Sequence, residues 1–111
     1  MILAAGLTPA WQQVLEFDAL APGQVNRARA AHGCASGKVL NAARALHHLG
    51  APARALTVVG GVPGAQIRDD FARLGIAARW VEGAVPTRVC TTILDGSRHA
   101  ATELVPEAGE V

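Results

Sequence analysis

The apolar residues of this chain change their spacing at Ser36, and this change constrains the fold more than any other feature of the sequence. Beyond Ser36 they recur every three or four positions, which places them on one side of a helix. The positions are Val39, Ala42, Leu46 and Leu49. Gly50 and Pro52 then end the segment, because glycine favours the residue after a helix and proline cannot continue one. The sequence therefore predicts an amphipathic helix with Ser36 as its N-cap.

Segments with the character of strands surround this helix. The strand candidates are MILAAGL (1–7), WQQVLEF (11–17), QVNRARA (24–30), ARALTVV (53–59), IAARWVE (76–82), TRVCTTILD (87–95) and RHAATELV (98–105). A second helix is predicted over 64–74, where Ile67, Phe71 and Leu74 share one side and Gly75 follows. Helices between strands imply a parallel-rich sheet with helices on its faces, so the predicted fold class is α/β.

A turn signal at 21–23, Ala-Pro-Gly, predicts a hairpin between the segments 11–17 and 24–30. The first segment carries an apolar row on one side. The row consists of Trp11, Leu15 and Phe17. We expect the hairpin to project from the main sheet and the row to be available to a second copy, because it would otherwise stay in water. A homodimer through this hairpin is therefore a candidate assembly.

The composition disfavours several classes of protein. Half of the 111 residues are apolar, which is enough for the core of one compact domain. The net charge of +1 gives no electrostatic reason to expect nucleic acid or an anionic membrane as a partner. The apolar N-terminus is too short for a signal peptide or a membrane span, so a cytoplasmic location is expected. Cys34 and Cys90 form no CxxC pair, so we expect reduced thiols and no metal site.

The dipeptide Gly37-Lys38 has three possible interpretations. A nucleotide P-loop needs Ser or Thr after the lysine to bind Mg²⁺, but Val39 follows here, so this interpretation is disfavoured. The second interpretation is an anion site, because a lysine in the first turn of a helix opposes the helix dipole unless an anion is bound. The third is an ordinary helix, capped by Ser36, with a solvated lysine. The residues alone leave the second and third interpretations open.

Residues 36–61, SGKVLNAARALHHLGAPARALTVVGG, resemble the N-terminal signature of the PfkB (ribokinase-like) carbohydrate kinases, G-G-K-G-x-N-x-A-x-A-L-x-x-L-G. Further segments are similar to motifs of the 1-phosphofructokinase and tagatose-6-phosphate kinase branch, in the same order. They are LTPAWQ, PGQVNRA, TRVC and TELV. The resemblance covers nearly all of the chain. It implies the N-terminal part of a ribokinase-like three-layer sandwich, with a projecting β-hairpin lid at about 11–30.

The resemblance also implies a function and a set of site residues. It implies transfer of the γ-phosphate of ATP to a phosphorylated hexose of the fructose or tagatose type, with ATP and Mg²⁺ expected for the full-length kinase. Cationic side chains would hold the sugar phosphate, and amide groups would bind its hydroxyls. The implied substrate-binding residues are Gln12, Arg27, Ser36, Gly37, Lys38, Asn41 and Arg88. Arg27 and Arg88 are expected to share one anion.

The chain departs from the family pattern at several positions. They are Gln12, Ser36, Val39, Cys90 and Val105. Val39 takes the place of a glycine, so we expect its side chain to lie where the backbone approaches the ligand. Outside the motifs, Asp69 and Asp70 are expected on a solvated face of the second helix.

The family's G-A-G-D segment, which carries the catalytic base and the anion hole beside ATP, does not occur in this chain. We expect it beyond Val111, because the chain ends on PEAGEV without a terminating helix. Residues 1–111 are then the N-terminal sugar-binding part of a kinase domain that lacks its C-terminal ATP-binding part. We expect this part alone to bind neither ATP nor Mg²⁺ and to be inactive. The alternative is a non-catalytic module that binds a sugar phosphate or forms dimers.

Overall fold

The structure, a computed structural model, describes residues 1–107. The last four residues of the PEAGEV segment lie outside the described residues, so the expectation that no helix ends the chain is tested only up to Glu107. The elements are β1 (Ile2–Ala5), β2 (Ala10–Phe17), β3 (Ala30–Ser36), α1 (Lys38–His48), β4 (Ala53–Val59), α2 (Gly61–Leu74), β5 (Ala78–Glu82), β6 (Val89–Asp95) and β7 (Ala100–Leu104). Neither helix in the described range is long and apolar enough to cross a membrane.

The strands form two sheets. The main sheet has the order β1-β4-β5, and its strands are all parallel. The outer sheet has the order β3-β2-β6-β7; β2 runs parallel to β6 and antiparallel to β3, and β6 pairs with β7 in an antiparallel hairpin. The α/β class and the parallel-rich sheet predicted from the order of elements are confirmed.

Both helices pack on the same side of the main sheet, against the face of β4 that carries Ala55 and Val59. The buried cluster there comprises Ala35, Val39, Leu40, Ala43, Ala55, Val59, Ile67, Phe71 and Ile76. Phe71 meets Trp80 of β5 edge to face, with ring centroids 5.5 Å apart. The opposite face of the sheet carries the half-buried side chains of Leu56 and Val58. The described residues therefore form two layers of the predicted sandwich.

The predicted apolar stripe of α1 is partly wrong. Val39 is buried, but Leu49 is 82% exposed and Ala42 is also exposed. Leu40 and Ala43 instead point into the core, and both have no exposed surface. Because alanine and leucine occupy five of the eleven positions of this helix, its sequence allows two overlapping stripes, and packing on the sheet selects the other one.

The start of α1 also differs from the prediction. Ser36 is the last residue of β3, where it pairs with Ala10, and the N-cap is Gly37, which provides no side-chain hydrogen bond. Ser36 is therefore not the cap, because the strand that pairs with β2 continues to Ser36, well beyond the end predicted at residue 30. Lys38 is the first helical residue, as expected.

The predicted hairpin exists, but the range predicted for its second strand is wrong. The strand is Ala30–Ser36, and the segment 24–29 is a loop. Asn26 fixes this loop: its Oδ1 accepts a hydrogen bond from the backbone N–H of Ala21 at 2.8 Å, and its Nδ2 donates to the carbonyl of Ala21 at 2.9 Å. These bonds give the loop a local alternative to strand pairing.

The apolar row of β2 is partly buried within one copy of the chain. Phe17 is buried, with 6% of its surface exposed, and Trp11 is half-buried against the core cluster. The indole of Trp11 also covers Gly33 on β3, where a Cβ would lie 2.5 Å from its Cζ2. The third side chain of the row, Leu15, is half-buried.

Candidate functional site

The turn Thr8-Pro9, between β1 and β2, brings two predicted site residues together. At Gly37 a Cβ would lie 2.9 Å from the carbonyl oxygen of Thr8 and 3.1 Å from the Cα of Pro9, so the backbone of Gly37 crosses directly over this turn. Arg88 donates from Nη2 to the carbonyl of Thr8 at 3.3 Å and from Nε to the carbonyl of Pro9 at 3.4 Å. The Arg88 guanidinium and the backbone of Gly37 therefore contact the same turn, next to the start of α1.

The start of α1 is an electropositive position. Lys38 is exposed in the first turn, and no acidic residue accompanies it there. The first backbone N–H groups of a helix have no partner within the helix and carry the positive end of its dipole. Neither Lys38 nor Arg88 belongs to any ion pair found within residues 1–107. This combination favours an anion site over a solvated lysine.

Polar groups suited to hydroxyls lie beside this position. Asn41, one turn into α1, donates from Nδ2 to the hydroxyl of Ser36 at 3.4 Å. Gln12 on β2 donates from Nε2 to the Thr92 hydroxyl at 2.7 Å, so its amide oxygen can still accept a hydrogen bond. Gln12 stands in register between Cys34 and Cys90, which are both free thiols.

Val39 does not obstruct the site. Its side chain is buried and packs against Gly6 at the end of β1, where a Cβ would lie 3.4 Å from the Cβ of Val39. The expectation that it lies where a ligand approaches the backbone is therefore wrong. In the second helical position the side chain points toward the sheet, and the approach to Gly37 and Lys38 remains open.

Arg27 lies away from the other predicted residues. It belongs to the loop between β2 and β3, which leaves β2 after Phe17 and joins β3 opposite Glu16. Arg88 precedes Val89, which pairs with Trp11 at the other end of β2. Five residue steps separate Trp11 from Glu16, and at ~3.3 Å per step this is about 17 Å. Within one copy of the chain, the two ends of the loop that carries Arg27 therefore lie at the opposite end of β2 from Arg88, and whether these two arginines share an anion stays a prediction.

One residue that orders the site was not identified from the sequence. The hydroxyl of Thr87 accepts a hydrogen bond from the N–H of Gly60 at 2.9 Å, and the N–H of Thr87 donates to the carbonyl of Gly60 at 3.0 Å. Thr87 thus holds the chain before β6 against the start of α2, and the next residue, Arg88, reaches the Thr8-Pro9 turn. The Gly60-Gly61 pair marks a close contact, but a partner 27 residues away has no local signal.

The described residues of this region include no cluster of metal ligands. Within residues 1–107, no group of three or more His, Cys, Asp or Glu side chains is arranged to hold one. Arg88, Lys38, Gln12 and Asn41 supply cationic and amide groups, which suit an anion with hydroxyls and not Mg²⁺.

Comparisons with known proteins identify the family and the fold of this chain. The sequence matches the family described as pfkB family carbohydrate kinase over residues 5–110. The fold is similar to phosphofructokinase-2 from Escherichia coli, solved in complex with fructose-6-phosphate: TM-score 0.91, 23% identity, 96% of this chain and 35% of that chain. It is also similar to a provisionally assigned phosphofructokinase from Staphylococcus aureus, with TM-score 0.87 and 27% identity, over 100% of this chain and 35% of that one.

A third similar structure is a provisionally assigned 1-phosphofructokinase from Thermotoga maritima, with TM-score 0.87 and 23% identity, over 99% of this chain and 36% of that one. The chain thus spans about a third of the length of the solved kinases it resembles. No curated protein sequence matches it. The family model covers nearly the whole chain, and the predicted family is confirmed: the chain belongs to the pfkB family of carbohydrate kinases.

Proposed function

We propose that this chain supplies the sugar-phosphate site of a carbohydrate kinase of the phosphofructokinase type. The observation that carries the proposal is the convergence of Arg88 and the start of α1 on one turn, Thr8-Pro9. Arg88 and the first amides of α1 meet there, Lys38 is the first residue of the same helix, and neither cation belongs to an ion pair within residues 1–107. A phosphate group is the anion that these donors suit best.

The proposed binding mode divides the site into two parts. Lys38, Arg88 and the first amides of α1 hold the phosphate of the sugar, and each charge-assisted hydrogen bond contributes roughly 1.5–3 kcal/mol. The amides of Gln12 and Asn41 bind hydroxyl groups. Gln12 is neutral where the family has a carboxylate, and its free amide oxygen accepts a hydrogen bond from a hydroxyl. The fructose-6-phosphate bound by the Escherichia coli enzyme supports a phosphorylated ketohexose as the substrate class.

In this proposal the chain supplies binding and orientation, and the base for the reaction belongs to another segment of the kinase. Three of the four aspartates in the sequence, Asp18, Asp70 and Asp95, accept bonds from nearby arginine or serine side chains. The fourth, Asp69, lies on the exposed side of α2. ATP, when bound in the whole kinase, provides the phosphoryl group that is transferred, and residues of this chain hold the acceptor sugar in place.

We also infer that Arg27 acts in a homodimer. Because it lies at the far end of the outer sheet, it can contact a sugar phosphate only if that sheet meets the site of a second copy. In this arrangement the outer sheet is the lid of the partner's site. A structure of the Escherichia coli enzyme described as tetrameric shows that a protein of this fold can self-associate. Light scattering at increasing concentration tests this inference, and a strict monomer contradicts it.

Calorimetric titration with fructose 6-phosphate tests the site. Arg88→Ala removes one charge-assisted contact, so we expect affinity to fall about ten- to a hundredfold with no loss of folding. Arg79→Ala is the matched control, because Arg79 is an exposed arginine of β5 on the opposite face of the main sheet. Equal affinities for Arg88→Ala and the unmodified protein contradict the proposed site.

A second candidate function is a non-catalytic module that binds the same sugar phosphate. It is favoured by the ion pairs of residues 1–107, in which Asp18, Asp70 and Asp95 each take part and Arg88 does not. Both functions predict binding of the sugar phosphate. They differ in phosphoryl transfer, which a coupled assay with ATP and Mg²⁺ measures on the whole protein.

A further inference from the structure

Asp70, on α2, is a buried carboxylate that contacts the backbone of the outer sheet. Its side chain is 5% exposed, and its Oδ2 accepts a hydrogen bond from the N–H of Ala35 on β3 at 2.8 Å. The expectation that Asp70 lies on a solvated helix face is therefore wrong; the exposed residue of that pair is Asp69. A buried charge needs a specific partner, and Asp70 has two arginines.

Arg44, on α1, completes the contact with Ala35. Its Nη2 lies 3.2 Å from Oδ2 of Asp70 and donates to the carbonyl of Ala35 at 2.6 Å. The guanidinium also lies over the ring of Phe71, 6.0 Å from its centroid. The ion pair therefore forms hydrogen bonds with both the backbone N–H and the backbone C=O of Ala35, as a neighbouring strand would.

The position of Ala35 explains why such a pair is needed. β3 is at the edge of the outer sheet, and Ala35 stands opposite Trp11 of β2. A residue of an edge strand has backbone groups that no other strand satisfies. Asp70 and Arg44 satisfy these groups in the interior, where water is excluded from Ala35. The ion pair thus joins α1, α2 and β3 at one point.

We propose that the Asp70–Arg44 pair positions the turn Ser36–Lys38, and with it the sugar-phosphate site. The inference rests on the proposed function. Only Ser36 separates Ala35 from Gly37, and the backbone of Gly37 lies directly against the turn Thr8-Pro9. A shift of Ala35 therefore moves the first amides of α1 and Lys38 relative to Arg88. Asp70 and Arg44 are positioning residues, because they act through the backbone and do not touch the sugar.

Hydrogen exchange at two backbone amides measures the effect of the Asp70–Arg44 pair without any ligand. The N–H of Ala35 donates directly to Asp70, so its exchange reports the pair itself. The N–H of Asn41 donates to the carbonyl of Gly37 at 2.9 Å, so its exchange reports the turn. In Asp70→Asn we expect exchange of both amides to accelerate at least tenfold under conditions where circular dichroism shows a folded protein.

Binding of fructose 6-phosphate is the functional readout. We expect Asp70→Asn to weaken binding about tenfold, and Arg44→Lys, which keeps the charge but only one donor group, to weaken it less. Two controls leave the pair intact: Asp69→Asn changes the exposed neighbour, and Arg73→Ala removes an outer partner of Asp70 that is 72% exposed. Neither control should alter exchange at Asn41 or the affinity.

The outcomes separate the two proposals. Faster exchange at Ala35 with unchanged exchange at Asn41 and unchanged affinity overturns the positioning role and leaves the proposed site intact. Accelerated exchange at both amides in a protein that never binds fructose 6-phosphate overturns the proposed function and supports the control of the turn by the pair. If Asp70→Asn does not fold, Arg44→Lys decides by the same exchange criterion: unchanged exchange at Asn41 overturns the proposal.

Discussion

Replacing Gly37 with alanine places the turn before α1 under two separate strains. Gly37 has φ 94° and ψ 158°, a backbone conformation that only glycine adopts readily. In addition, the new Cβ would lie 2.9 Å from the carbonyl oxygen of Thr8 and 3.1 Å from the Cα of Pro9. Both atoms belong to the backbone, so neither can move aside as the end of a side chain could.

The expected cost follows from these two terms. The backbone strain costs about 1–3 kcal/mol, and displacing packed neighbours costs about 1–3 kcal/mol more. We therefore expect Gly37→Ala to lower the free energy of unfolding by about 2–6 kcal/mol. This is a large part of the ~5–15 kcal/mol that a typical domain has.

Gly75→Ala is the matched control. Gly75 ends α2 with φ 71°, and no atom lies within 4 Å of a Cβ at this position. Only the left-handed conformation is then penalised, by about 1–2 kcal/mol. Urea denaturation followed by circular dichroism gives both values. A loss for Gly37→Ala no larger than that for Gly75→Ala would refute the claim that the crossing over Thr8-Pro9 constrains this turn.

Three further predictions concern the outer sheet and activity. Hydrogen bonds from Ser97, first from its side chain, lower the pKa of Asp95 below 3.8. Asp95 therefore stabilises the fold above that pH, and this contribution is lost as the pH falls through its lowered pKa. In an acid titration, Asp95→Asn should lose stability less steeply than the unmodified protein, and identical curves would contradict this. Phe17→Asp buries a charge and should unfold the outer sheet, whereas Leu15→Asp should be tolerated better in thermal melts; equal melting temperatures would contradict the burial argument. Residues 1–111 alone should show no kinase turnover with ATP, Mg²⁺ and fructose 6-phosphate, and turnover that follows the purified chain would overturn the assignment of the base to another segment.

Regular periodicity made most elements predictable from the sequence. The strand before Thr8-Pro9 and the helix before Gly50 both have local signals, and both occur in the structure. The return strand of the outer hairpin was misplaced because an alternating pattern at 24–30 resembles a strand. Asn26 binds that segment into a loop, and a single side chain of this kind has no periodic signature.

The candidate site was predictable from the sequence only where its residues belong to local motifs. Gly37, Lys38 and Arg88 belong to short motifs, and the structure brings them together at Thr8-Pro9. Asp70 was misjudged because a charged residue next to another on a helix usually faces water. Its burial depends on Arg44, 26 positions away, so it follows from the packing of two helices and not from local sequence.

Chemical-shift mapping of the sugar-phosphate site tests the central claim most directly. In a ¹⁵N-labelled sample of the protein titrated with fructose 6-phosphate, we expect the largest changes at the amides of Gly37 and Lys38 and at the Nε–H of Arg88. The same titration with unphosphorylated fructose should leave these signals nearly unchanged, because the phosphate provides the charge that they bind. Changes confined to other parts of the chain, or equal changes with both sugars, would contradict the account.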